Sequence, residues 1–197
     1  MRLLCIIALA AALPLGEPQL ATFVDSRDGH RYRTLRFAGI EWMRDNLAFK
    51  SDPSWCYEDR EEECAIYGRL YRYAQAVEAC PDGWRLPTDA EWMHLEQWAG
   101  LPPELLERTR NRGTKREGAE LRVHGRTRFD ALLAGYRRQD GSYKCRGRCT
   151  AFWSGTETAD DLVWHRDFDN GNNHRSSMWP SPVEKDYALS VRCVRLR

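Results

Sequence analysis

Apolar and polar positions follow two periods along this chain, and the clearest helical one lies near its middle. In residues 80–100, CPDGWRLPTDAEWMHLEQWAG, the apolar Trp92, Leu95 and Ala99 recur at i, i+3 and i+7. That spacing puts one apolar stripe on a helix. Thr88 is a natural N-cap with Glu91 three residues on, the pattern of a capping box, and Pro87 and Trp92 hold the positions of a hydrophobic staple. Pro81-Asp82-Gly83 makes a turn ahead of the helix. Gly100 and Pro102-Pro103 end it.

Elsewhere the pattern is shorter and reads as strand. Residues 23–47 predict two short strands around Asp28-Gly29, a hairpin dipeptide, with 39–43 as the second strand because 31–37 alternates only loosely. Residues 51–64 read as a loop whose acidic run, Glu58-Asp59 and Glu61-Glu62-Glu63, faces solvent. Residues 68–73 are expected to be extended and 74–79 to form one or two helical turns. Residues 101–128 carry little periodicity beyond a short helix over 104–108. Asp140-Gly141 marks a hairpin turn after 132–137, and 152–154, 162–168 and 187–196 read as further strands.

With 197 residues, 42% of them hydrophobic, and eight Trp, the chain suits one globular domain with its own core. Its net charge of +1 points to neither nucleic acid nor a membrane surface as a partner. A local basic stretch (Arg108, Arg110, Arg112, Lys115, Arg116, Arg122, Arg126, Arg128) can suit an anionic partner, but no aromatics interleave with it for base stacking. It reads as a solvated loop.

Residues 1–21 read as a secretory signal, with Arg2 as the basic start and an apolar run over 3–15. The run is shorter than the roughly 20 residues a membrane span needs. Cleavage points lie near Gly16 and Ala21, and the folded domain is expected over 22–197, secreted or periplasmic. Setting aside Cys5 leaves six cysteines, an even number that favours disulfides in an exported chain. Six cysteines allow many pairings. Cys56 with Cys64 and Cys145 with Cys149 are local in sequence, which leaves Cys80 with Cys193 to tie the turn before the helix to the C-terminal strand.

The wording WRLPTDAEWMHL resembles the signature of the Fibrobacter succinogenes major paralogous domain, a family of exported bacterial domains. Further stretches fit the same family in the same order: TFVDSRDGHRYRTLRFAGIEWMRDNL, CYEDREEECAIYGRLYRY, FDALLAGYRRQDGSY with FWSGTE, and LSVRCVR. The resemblance implies an α+β fold of the C-type-lectin-like and formylglycine-generating-enzyme group, with one main helix packed on short irregular antiparallel strands and stapled by disulfides. It implies no activity by itself.

Formylglycine-generating relatives use a cysteine pair that binds copper(I). Cys145 and Cys149 are the only comparably close pair here, and soft thiolates do select copper(I). They sit in a basic turn, CRGRC, that does not match the enzyme's motif, so a structural disulfide is expected and no cofactor. Lectin-type calcium sites use Glu-Pro-Asn or Gln-Pro-Asp and Trp-Asn-Asp, and none occurs here. The oxygen-rich run 167–173 (DFDNGNN) misses calcium-loop spacing and reads as a turn. No G-x-S-x-G elbow is present, and His30, His94, His124, His165 and His174 lack metal spacing.

Trp84, Trp92, Trp98 and Trp153 belong to the core motifs, whereas Trp55, Trp164 and Trp179 lie near expected loops. The candidate ligand face is therefore Trp164, His165 and Trp179, with the segment Trp179-Pro180-Ser181-Pro182 as a semi-rigid loop. The expectation is an exported, non-catalytic binding module of the cell envelope or extracellular space for a protein or carbohydrate. A copper-dependent oxidoreductase of the formylglycine-generating type and a structural envelope component are the competing classes.

Overall fold

The structure, a computed structural model, describes residues 17–109, 115–169 and 178–197. Residues 1–16 of the expected 1–21 leader, Arg110, Arg112, the turn residues 170–173 and His174 lie outside the described residues. The described chain is α+β: two mixed or antiparallel sheets with short helices against them.

The first sheet holds β1 (Gln19–Val24), β2 (Arg31–Phe37), β3 (Ile40–Met43) and β11 (Val194–Leu196), all antiparallel, in that order. The second has the order β4 (Leu70–Tyr71), β10 (Leu189–Ser190), β7 (Cys149–Glu157), β8 (Val163–Asp169) and β9 (Met178–Val183). Here β10 runs parallel to β7 and the remaining pairs are antiparallel. A small hairpin, β5 (Tyr136–Arg137) with β6 (Tyr143–Lys144), turns at Asp140-Gly141 as expected.

The 31–37 alternation looked loose because β2 is buried on both faces. Tyr32 enters one apolar cluster with Met43, Leu47, Tyr71, Trp84, Trp153, Val191 and Cys193. Leu35 and Phe37 enter another with Trp42, Trp92, Leu95, Phe129, Phe152 and Phe168. Successive strand residues point to opposite faces, so Phe152 and Trp153 of β7 divide between the clusters in the same way. The 23–47 segment consequently holds three strands, not two, with β2 in the middle. Likewise 187–196 is two strands, β10 and β11, one in each sheet.

The central helix, α3 (Asp89–Trp98), has the expected capping box: the Glu91 backbone N–H donates to Thr88 Oγ1 at 3.2 Å, and the Thr88 N–H donates to Glu91 Oε2 at 2.7 Å. Trp92 and Leu95 are buried, as is the cap residue Ala99, and Trp84, Trp92 and Trp153 lie in the core with Trp98 packed against it. The polar side of α3 is anchored as well. Arg166 of β8, fully buried, donates to Glu96 at 2.6 Å and pairs with Asp89 at 2.6 Å.

Two expected loops contain helices. Residues 51–64 lead into α1 (Glu61–Tyr67), with Glu61, Glu62 and Glu63 in its first turn, where the helix dipole favours carboxylates. The acidic run is not simply solvated: Glu63 is buried and pairs with Arg60 at 2.8 Å and Arg146 at 3.0 Å. Next comes α2 (Tyr73–Ala79), where helical turns were expected. In the basic segment, α4 (Lys115–Leu121) buries Glu117 and Leu121, which a solvated loop would not do. The 104–108 helix reduces to a 3-10 turn at Pro103–Leu105.

Disulfides join Cys56 to Cys64, Cys80 to Cys193 and Cys145 to Cys149. Among the described residues no helix is long and apolar enough to cross a membrane.

The first sheet is pinned by Glu41, fully buried and opposite both Arg36 and Arg195 in the strand register. Burial pushes the Glu41 carboxyl up, but hydrogen bonds from Arg197, Thr34 and Arg195 prevail and hold it down to about 2. Its folded value lies below its unfolded one, so its stabilisation is complete above pH about 4.5 and is lost as pH falls toward 2. The difference is worth about 3 kcal/mol. We predict that urea melts of Glu41→Gln lose much of the wild type's acid sensitivity between those values. Equal acid sensitivity in the two proteins would assign the effect to other carboxylates.

Candidate functional site

A cleft of about 1060 Å³ opens between the β1–β2 end of the first sheet, the C-terminal end of α3 and the loop 122–130. Its walls include Leu20, Arg33, Trp98, His124, Arg126 and Arg128. Trp98 stacks on Phe37 with centroids 4.6 Å apart and planes at 15°. It presents an aromatic surface at the cleft wall. A second cleft, of about 530 Å³, adjoins this one through Val123, His124 and Gly125.

The loop is built around one buried anchor. Phe129 is fully buried and meets Trp42, Trp92 and Phe152 at centroid distances of 5.9, 5.8 and 6.3 Å. Its neighbours Arg128 (φ 58°) and Asp130 (φ 55°) are both left-handed, as is His124 (φ 71°). Left-handed φ at a residue other than glycine is strained, and such strain persists only where the surroundings impose it. The alternation turns the backbone inward for Phe129 and outward on either side, which leaves Arg128 exposed at the cleft.

Two buried arginines impose that shape. Arg192, fully buried, donates to the Phe129 carbonyl, to the Asp130 carbonyl at 2.8 Å and to Asn46 Oδ1 at 3.0 Å. Its guanidinium also lies 4.2 Å from the Phe129 ring centroid. Arg44 donates to the Arg128 carbonyl and pairs with the Asp130 carboxylate. Burial pushes Arg192 down to about 9, opposed by the carboxylates of Asp45 and Asp130, so it stays a cation at neutral pH. Burial pushes Asp45 up, yet its hydrogen bonds from the Arg33 side chain and backbone hold it below the usual carboxylate range.

The start of the loop is fastened by Glu120. Its carboxylate accepts from the Arg126 N–H and Nε, both at 2.9 Å, and its carbonyl accepts from Thr127 Oγ1. Gly125 passes so close that a Cβ there would lie 2.1 Å from the Glu120 carbonyl oxygen. Any other residue would displace the loop. Among the described residues, the side chains of Arg128 and His124 have no hydrogen-bond or ion-pair partner, so they are available to a ligand.

The residues expected to form a ligand face lie elsewhere and divide between two faces of the second sheet. Trp164, half-buried on β8, shares a face with Arg166 and Phe168. His165 points to the other face and is buried, its Nδ1–H donating to the Ser181 carbonyl at 2.6 Å and its Nε2 3.2 Å from Asp167 Oδ2. Trp179, half-buried, stands opposite Asp167 and so shares the His165 face. Its segment is not a loop but strand β9, at the sheet edge, where prolines cost no ladder hydrogen bond. Of the run 167–173, Asp167, Phe168 and Asp169 continue β8.

The remaining chemistry candidates are engaged structurally. The sulfurs of Cys145 and Cys149 are bonded to each other, which leaves no thiolate there for copper(I). The Cys56 and Cys64 sulfurs and the Glu61 carboxylate gather within 4.8 Å, but those sulfurs also form a disulfide, and Glu61 pairs with Arg69 at 3.2 Å. Trp55 sits under Arg137, 4.5 Å from its ring centroid, rather than free at a loop. The cleft loop itself was hidden in the sequence, because its anchor is a single Phe between charged residues without period.

No curated protein and no solved structure matches this chain. The family model of the Fibrobacter succinogenes major domain matches residues 30–195, which span β2 to β11 and every residue of the cleft loop. The chain belongs to the Fibrobacter succinogenes major domain family.

Proposed function

We propose that this protein is an exported, non-catalytic binding module of the cell envelope or extracellular space whose ligand sits in the cleft beside loop 122–130. One observation carries the reading: buried Arg44 and Arg192 hold a strained loop over a cleft of about 1060 Å³, with Arg128 and His124 at its wall and without a partner among the described residues. Preorganised polar groups around a concave, partly aromatic surface are what a binding site needs. The helix packed on short strands, and the disulfide from the turn before it to the C-terminal strand, support a C-type-lectin-like architecture.

Export rests on the leader-like start and on three disulfides among the six cysteines that follow Cys5. The 1–21 boundary falls inside β1, since Gln19, Leu20 and Ala21 pair with Arg36, Leu35 and Thr34. A cut near Gly16 keeps that strand whole. It also keeps Glu17, Pro18 and Leu20 in the cleft wall.

The test uses the full chain after export. Mass spectrometry is expected to find no free thiol beyond a removed leader, and the protein is expected to bind isolated envelope polymers saturably. Arg128→Gln with His124→Gln should remove that binding without lowering the melting temperature. Binding that survives both substitutions would overturn the cleft reading. Two free thiols with bound copper would favour the oxidoreductase, and no saturable binding at all would favour the structural component.

A further inference from the structure

Resting on that reading of the cleft, we infer that its ligand class is a carboxylated oligosaccharide, a chain of sugar rings carrying sparse carboxylates of the uronate kind. The wall offers three kinds of chemistry at once. Trp98, stacked on Phe37, supplies an apolar platform of the sort that sugar rings pack on. Arg128 and His124 supply N–H donors that nothing else among the described residues uses, and a guanidinium fork matches a carboxylate in a bidentate pair.

Glu17, Glu120 and Asp130 line the same cleft as acceptors. Their presence decides the charge density of the partner. Glu120 and Asp130 already offset Arg126 and Arg44 there, so a densely anionic polymer such as nucleic acid or polyphosphate would meet too little excess positive charge to match its own. A uronate polymer spaces its charges one per ring amid neutral hydroxyls. Those hydroxyls can donate to Glu120 and Asp130 and accept from Arg126 and Arg33. An acidic peptide has the carboxylates but few hydroxyls to meet the acceptors.

Size agrees. The volume of about 1060 Å³ is at the upper end of small-ligand sites and is open along one side, which suits several linked rings rather than one. Of the cleft's exposed arginines, Arg33 and Arg126 already pair with carboxylates, so charge recognition rests mainly on Arg128 and affinity should fall with salt only modestly, unlike the steep fall of a multi-phosphate contact.

The experiment is calorimetry of the disulfide-bonded full chain with oligogalacturonate, a neutral β-glucan oligomer of equal length, and oligoglutamate. Wild type is expected to bind oligogalacturonate at least tenfold more tightly than either of the others. Arg128→Gln should weaken that binding at least tenfold and Arg128→Lys by less, with melting temperatures unchanged. Equal affinity for the neutral oligomer, or tighter binding of oligoglutamate, would overturn the carboxylated-sugar class while leaving the cleft in place, provided Arg128→Gln still weakens the binding seen. Wild-type affinity in Arg128→Gln and His124→Gln would overturn the cleft itself. No binding of any of the three by wild type would overturn this ligand class alone.

Discussion

Arg192→Met is expected to cost about 3–5 kcal/mol of folding stability, the range for removing one member of a buried charged network. The replacement has similar length and fills the space, so the cost does not come from a cavity. It comes from what Arg192 leaves behind. The Phe129 and Asp130 carbonyls and Asn46 Oδ1 all accept from this one guanidinium, and a buried acceptor without a donor costs about 1–3 kcal/mol. Two of the three belong to the backbone, so no compensating side-chain substitution can remove them. For a chain of this size each kcal/mol lowers the melting temperature by about 2–4 °C, so a fall on the order of 10 °C is expected. Arg192→Lys keeps the charge but not the fork, and should recover less than half. In guanidinium melts the midpoint should move with the slope unchanged, because the unfolded chain is the same. A loss below 1 kcal/mol would mean that water takes over the three acceptors, and that the loop does not depend on Arg192.

This expectation also links fold to site. Arg128, which would meet a ligand, sits in a stretch held by residues remote in sequence, Arg44 and Arg192, whereas the His124 end of the loop is fastened by Glu120. A melt therefore reads the scaffold and a titration reads the cleft. Arg128→Gln should move only the second, whereas Arg192→Met should move both.

That remoteness explains what could and could not be read along the chain. The helix at 89–98 was legible because its start and its apolar face are marked locally: Thr88 and Glu91 lie three residues apart, and Trp92, Leu95 and Ala99 mark its face. The hairpin at Asp140-Gly141 was legible for the same reason. β2 was obscured because both its faces are buried, which erases alternation. α1 was obscured because its first turn is all glutamate, a composition shared by solvated loops, and only the tertiary pairing of Glu63 with Arg146 shows otherwise. Among the candidate ligand residues, the sequence offered Trp164, His165 and Trp179 as neighbours of a loop. It could not show that 178–183 closes the sheet edge and fixes which face each one takes. The cleft loop had no local mark ahead of Phe129, where a stretch resembling the family begins, and a lone Phe among charges looks the same whether it is exposed or serves as an anchor.

The largest effect expected from a covalent change is at Cys80–Cys193. These residues are 113 apart in sequence with Cα atoms 5.8 Å apart, and they join the turn before α3 to the segment between β10 and β11. On the chain-entropy account, closing a loop of that length stabilises by about 5 kcal/mol, against about 2 kcal/mol for the short loop of Cys145–Cys149. The junction also carries native contacts, with Arg85 and Val194 exchanging backbone hydrogen bonds at 2.9 and 2.8 Å. The Cys80→Ala, Cys193→Ala double variant should therefore lose roughly twice the stability that Cys145→Ala, Cys149→Ala loses. Because the tie acts on the unfolded chain, its removal should let that chain expand and expose more surface. The denaturant slope should then rise in the Cys80/Cys193 variant and stay constant in Arg192→Met, which separates a constraint on the unfolded state from a bond in the folded one. An unchanged slope with the full loss of stability would place the contribution of this disulfide in native packing around buried Cys193 instead.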